Sequence, residues 1–88
     1  MAYKREHASD YKHRSPYITH HGQRIRFVVT RDGIDIETPR RGSVAWYASV
    51  DEADRFFDNG TTDGTLAAAT LRQADAAYTD WLRYELTN

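Results

Sequence analysis

Four histidines, His7, His13, His20 and His21, are the side chains of this 88-residue, cysteine-free chain that titrate nearest neutrality. The adjacent pair His20-His21 is of the right type to ligate a divalent metal. Neighbouring residues on a strand point to opposite faces, however, and no acidic or cysteine partner is local, so the pair reads as part of a polar hairpin turn. The lack of cysteine removes disulfides, thiolate zinc centres and thiol nucleophiles. No nucleophile elbow, phosphate-cradling glycine loop or paired zinc motif occurs either. The four Val, four Ile, four Leu and three Phe are few for one core plus a water-excluding pocket. The expectation is a protein with no catalytic residue, metal or cofactor, acting by binding.

Charge is the next possible carrier of chemistry. Residues 1–41 hold nine Lys and Arg against five Asp and Glu, and residues 42–88 hold three against eight, so the halves carry +4 and −5. Lysine and arginine contacts to phosphate supply most non-specific nucleic-acid affinity. A pI near 6.4 lies well below the basic range of such domains. Nucleic-acid binding is therefore the second expectation, carried by the N-terminal residues and Arg40-Arg41. The acidic set Asp51, Glu52, Asp54, Asp58 and Asp63 could imitate a phosphate row, but carboxylates in a first helical turn also favour the macrodipole.

The elements that position these groups follow from periodicity. Residues 1–16 are polar, lack apolar periodicity and end in Ser15-Pro16, which reads as a flexible basic arm ahead of one domain over residues 17–88. From Tyr17 apolar residues alternate, and His21-Gly22 and Asp32-Gly33 suit two-residue hairpin turns. Such loops fix register, pairing Ile18 with Ile25, Val29 with Ile36 and Phe27 with Thr38, which gathers the apolar side chains on one face. Pro39-Arg40-Arg41-Gly42 is the next turn. A fourth strand over 43–48 is predicted to send Val44 and Trp46 inward and Tyr47 outward.

Ser49-Val50-Asp51-Glu52 fits a capping box, followed by a stripe of Val50, Ala53, Phe56 and Phe57 and a left-handed C-cap at Asn59-Gly60. A second helix is predicted over 65–86, with Leu71, Ala74, Tyr78, Trp81, Leu82 and Glu85 on one stripe and Ala67 to Ala69 permitting close approach. All five glycines fall in predicted turns or caps. The predicted fold is α+β in two layers: a four-stranded antiparallel sheet with two C-terminal helices packed on one face. The opposite sheet face is left bare, with Tyr17 opposite Arg26, Thr19 opposite Arg24 and Val28 opposite Glu37. Tyr and Arg are the residues most enriched at binding hot spots. The expected partner-binding residues are Tyr17, Arg24, Arg26, Val28, Glu37, Arg40, Arg41 and Tyr47.

Strands followed by Ala48-Ser49-Val50-Asp51-Glu52-Ala53-Asp54-Arg55-Phe56-Phe57-Asp58-Asn59-Gly60, a short polar loop and a final helix resemble the layout of small phage anti-CRISPR proteins. The likeness is to a type I-F inhibitor with a four-stranded sheet and two helices. It implies a stoichiometric, non-enzymatic phage or mobile-element protein that blocks a host CRISPR effector complex by binding its protein subunits, and it carries over no residue roles. A phage structural or assembly subunit is a third expectation. With no apolar run long enough for a signal peptide or membrane span, the expected setting is the cytoplasm, as monomer or homodimer.

Overall fold

A computed structural model describes residues 12–57 and 60–87 of the chain. Five strands and two helices follow in order: β1 (His13–Arg14), β2 (Ile18–His20), β3 (Gln23–Val29), β4 (Ile34–Thr38), β5 (Gly42–Tyr47), α1 (Val50–Phe56) and α2 (Thr62–Thr87). All strand pairs are antiparallel. β1 and β2 lie along the same edge of β3, which pairs on its other side with β4, and β4 pairs with β5. The sheet is thus four strands wide, as predicted, with its first strand broken in two.

The break has a local cause. His13 pairs with Val29 and Arg14 with Val28, whereas Ile18 pairs with Ile25, so the register slips by one residue between the two short strands. Pro16 sits at the slip, where its missing N–H costs no ladder bond. Ser15 compensates: its N–H donates to the Phe27 carbonyl (2.8 Å), and its buried Oγ accepts from the Phe27 N–H (2.8 Å). His13, Arg14 and Ser15, expected within a flexible arm over residues 1–16, instead belong to the sheet, since His13–Arg14 form ladder pairs and Ser15 is buried. Residues 1–11, and His7 with them, lie outside the described residues.

His21 and Gly22 form the first hairpin turn with left-handed angles (φ +50° and +79°), in the predicted register. The second turn differs. Thr30 and Gly33 exchange backbone hydrogen bonds, and Thr30 Oγ1 accepts from the amides of Asp32 and Gly33, so the loop is Arg31-Asp32 rather than Asp32-Gly33. The β3–β4 register moves by two, to Phe27–Ile36 and Val29–Ile34. A shift of two preserves side-chain parity, so the inner face keeps its predicted members.

That inner face supplies Ile25, Phe27, Val29, Ile34 and Ile36 to the core, against Ala53 and Phe57 from α1 and Ala67, Leu71, Ala74 and Tyr78 from α2. Phe27 and Leu71 are wholly buried, and Phe27 meets Phe57 edge-on at 5.5 Å. Ala67, with no exposed surface, lets α2 approach the sheet closely.

Helix α1 begins in the predicted capping box: Ser49 Oγ accepts from the Glu52 amide and the Glu52 carboxylate accepts from the Ala48 amide. It ends earlier than predicted, at Phe56, with Phe57 extended as C-cap. Leaving the helix turns Phe57 into the core and leaves Phe56 exposed, tilted against Tyr47 at 5.6 Å. The expected cap residue Asn59 lies outside the described residues, as does the side chain of Glu85. Helix α2 starts before its predicted boundary because Thr61 caps it, its Oγ1 accepting from the Gly64 amide and its carbonyl from the Thr65 amide. Gly64 is therefore in the first helical turn and not in the loop. Asp54 and Arg72 pair across the two helices. At 26 residues α2 is about 39 Å long, well beyond the roughly 23 Å of the seven-residue β3.

Candidate interaction surface

Both helices lie on one side of the sheet, which leaves the other face to the residues between the core positions. Register places them in rows. Arg14, Val28, Asp35 and Trp46 form one row across β1, β3, β4 and β5. Arg26, Glu37 and Ser43 form the next, with Tyr17 beside Arg26, and Arg24 pairs with Thr19 beyond it.

Tyr17 joins the two outer rows. The guanidinium carbons of Arg26 and Arg24 lie 4.8 and 5.3 Å from its ring centroid, a cation–π arrangement that gathers both arginines on one ring. Arg26 also donates from Nε to Glu37 Oε1 at 3.0 Å, and its Nη2 is ion-paired to the same oxygen at 3.0 Å. Asp35 accepts from the Ser43 hydroxyl at 3.0 Å. The result is a fixed mosaic of both charge signs around an aromatic ring. Tyr17, Arg24, Arg26 and Glu37 are thus brought together as the alternation predicted.

Two expected members are not where the sequence reading put them. Val28 does point away from the helices, opposite Asp35 rather than Glu37, but it is 1% exposed. It forms the floor of the face and offers no contact surface, because β1 extends the sheet beside it. Tyr47 faces the helices instead, pairing with Ile34 and packing on the core. The reason is a β-bulge: Ile36 pairs with Ala45 but Glu37 with Ser43, so Val44 is an extra residue on β5. Ala45 and Tyr47 turn inward, while Trp46 and Val44 turn outward, 53% and 46% exposed. The two phases of Val44-Ala45-Trp46-Tyr47 are both apolar, so alternation alone does not choose between them.

The Trp46 indole is seated by Gly33. A Cβ at Gly33 would lie 2.4 Å from the Tyr47 carbonyl oxygen and 2.7 and 2.8 Å from indole carbons, so only glycine admits the ring. The buried Gly33 in the second hairpin is the one sequence signal that a bulky neighbour passes close by.

Arg40 and Arg41 lie at the end of the sheet, on the turn between β4 and β5. With Gln23, Arg24, Thr38 and Pro39 they line a concavity of about 440 Å³. A second polar cluster joins the first hairpin to α2. The His21 amide donates to the Asp63 carboxylate at 2.8 Å, and the His20 ring stands edge-on to Phe57 at 5.3 Å. Burial lowers the His20 pKa below its ordinary 6.5; His21 acts in the same direction and Asp63 opposes them. The His20 Nε2 atom is buried with no hydrogen-bond partner among the described residues. This cluster ties the hairpin to the helix, a role local sequence gives no sign of because Asp63 is 42 residues from His21. Among the described residues no group of three His, Cys, Asp or Glu side chains is arranged to hold a metal ion, and no helix is long and apolar enough to cross a membrane.

No protein-family model, curated protein or solved structure matches the chain.

Proposed function

We propose that this protein acts by binding a protein partner through the outer face of its sheet. The observation that carries the reading is the exposed Trp46–Val44 pair beside the Tyr17–Arg26–Glu37 mosaic. Exposed Trp and Tyr supply large contact area at small entropic cost, and Arg fixed by stacking loses little further freedom on docking. The mixed charges suit a protein surface. A nucleic-acid strand tracking the same face would meet Asp35 and Glu37 at its centre, which weighs against that reading.

The anti-CRISPR-like layout adds a partner class: a subunit of a host defence complex such as a CRISPR effector, engaged in the host cytoplasm by a phage or mobile-element protein. The test is affinity capture on the tagged full chain, read by mass spectrometry and by absorbance at 260 nm. The expected result is one stoichiometric protein, lost on Tyr17→Ala plus Trp46→Ala. Recovery of nucleic acid alone, or of a protein indifferent to both substitutions, would overturn the reading.

A further inference from the structure

Three arginines, Arg24, Arg40 and Arg41, line one concavity at the sheet end. Extending the β3–β4 ladder from Arg26–Glu37 sets Arg24 and Gln23 beside Pro39 and Arg40, so the start of β3 forms one wall of the concavity and the turn forms the other. The turn is held in shape, since Thr38 Oγ1 accepts from the Arg41 amide (3.2 Å) and Gly42 takes φ +67°. Arg24 is fixed on the other side by Tyr17. Among the described residues none of Arg24, Arg40 and Arg41 has a carboxylate partner, because the Glu37 at hand is taken by Arg26.

We infer that this concavity is a binding site for a phosphate group, adjoining the protein-binding face and sharing Arg24 with it. Three arginines lining a concavity of about 440 Å³ concentrate positive charge in a chain whose net charge is −1, and a multiply charged oxyanion offsets it. Each guanidinium offers a planar fork that matches phosphate oxygens, and the Gln23 amide adds neutral donors. The uncharged remainder of the lining is Thr38 and the Pro39 ring. The arginines carry the only formal charges of the lining, so charge and hydrogen bonding orient the ligand, which favours a compact phosphoryl group over a peptide side chain. The phosphate is carried either by a small molecule or by a nucleic-acid strand.

Titration calorimetry on the full chain at low ionic strength tests this with sodium pyrophosphate, a thymidine oligonucleotide and a glutamate-rich peptide. Saturable binding of pyrophosphate is expected, weakened more than about tenfold by Arg40→Gln plus Arg41→Gln. Arg31→Gln plus Arg55→Gln removes the same charge elsewhere and should leave binding intact. Binding of the oligonucleotide alone, equally lost in the Arg40/Arg41 variant, supports the site with a strand as the source. Absence of saturable binding by both phosphate probes, equal loss in the two double variants, or preference for the peptide would overturn the proposal. Both substituted turn residues are exposed, and circular dichroism of each variant verifies the fold.

Discussion

Replacing Gly33 by alanine tests the packing that presents Trp46. The added Cβ meets the Tyr47 carbonyl oxygen at 2.4 Å and the indole at 2.7 Å, and φ at this position is +157°, where residues with side chains rarely sit. Overpacking of this kind costs about 1–3 kcal/mol and backbone strain of order 1–3 more. The hairpin can yield in part, so a loss of roughly 2–4 kcal/mol is expected. That is a large share of a stability of about 5–15 kcal/mol, and it corresponds to a fall in Tm of roughly 10–30 °C for a domain of this size. Urea and thermal unfolding followed by circular dichroism measure it. The same substitution in a Trp46→Ala background should cost less, because the indole contact is gone, yet not nothing, because the Tyr47 carbonyl remains. A Gly33→Ala protein within about 0.5 kcal/mol of the parent would refute the placement of β5 against the second hairpin. Equal cost in both backgrounds would refute the seat of the indole.

Two further outcomes follow from buried polar groups. Ser15→Ala leaves the buried Phe27 amide without its acceptor and should destabilise by about 1–3 kcal/mol, seen as a lower urea midpoint at unchanged slope; a loss below about 0.5 would contradict the role given to Ser15. Burial lowers the His20 pKa, so between its folded value and the ordinary 6.5 the unfolded chain binds more protons than the folded one. Stability should therefore be complete above pH 6.5 and decline as pH falls through that window. Unfolding midpoints between about pH 5.5 and pH 7.5 should show the slope, and His20→Phe should flatten it; an unchanged slope in that variant would assign the effect elsewhere.

The fold was legible where local rules act alone. The His21-Gly22 turn, the Ser49–Glu52 capping box and the inner-face alternation are each decided by a few adjacent residues. Even the misplaced second turn left the faces correct, since a two-residue register shift keeps parity. What escaped was set by partners distant in sequence. Arg14 and Ser15 are polar and sit before a proline, and only their bonds to β3 make them part of the sheet. On β5 the bulge at Val44 exchanged the roles of Trp46 and Tyr47, and the ladder with β4 decides that choice. Half of the candidate surface, Tyr17 with Arg24, Arg26 and Glu37, was therefore readable from the sequence. Its largest exposed side chain, Trp46, was not.

Once the partner is in hand, its affinity for Trp46→Ala measured against Phe56→Ala tests the central claim most directly. Both substitutions remove an exposed aromatic, 53% and 64% exposed, from opposite sides of the sheet. The free half of a Trp surface, about 130 Å² at about 25 cal/mol per Å², sets roughly 3 kcal/mol as the contact's limit. Binding should weaken about 30- to 150-fold in Trp46→Ala and less than about threefold in Phe56→Ala. Loss of binding in Phe56→Ala with Trp46→Ala unaffected would contradict it and place the interface on the helical side.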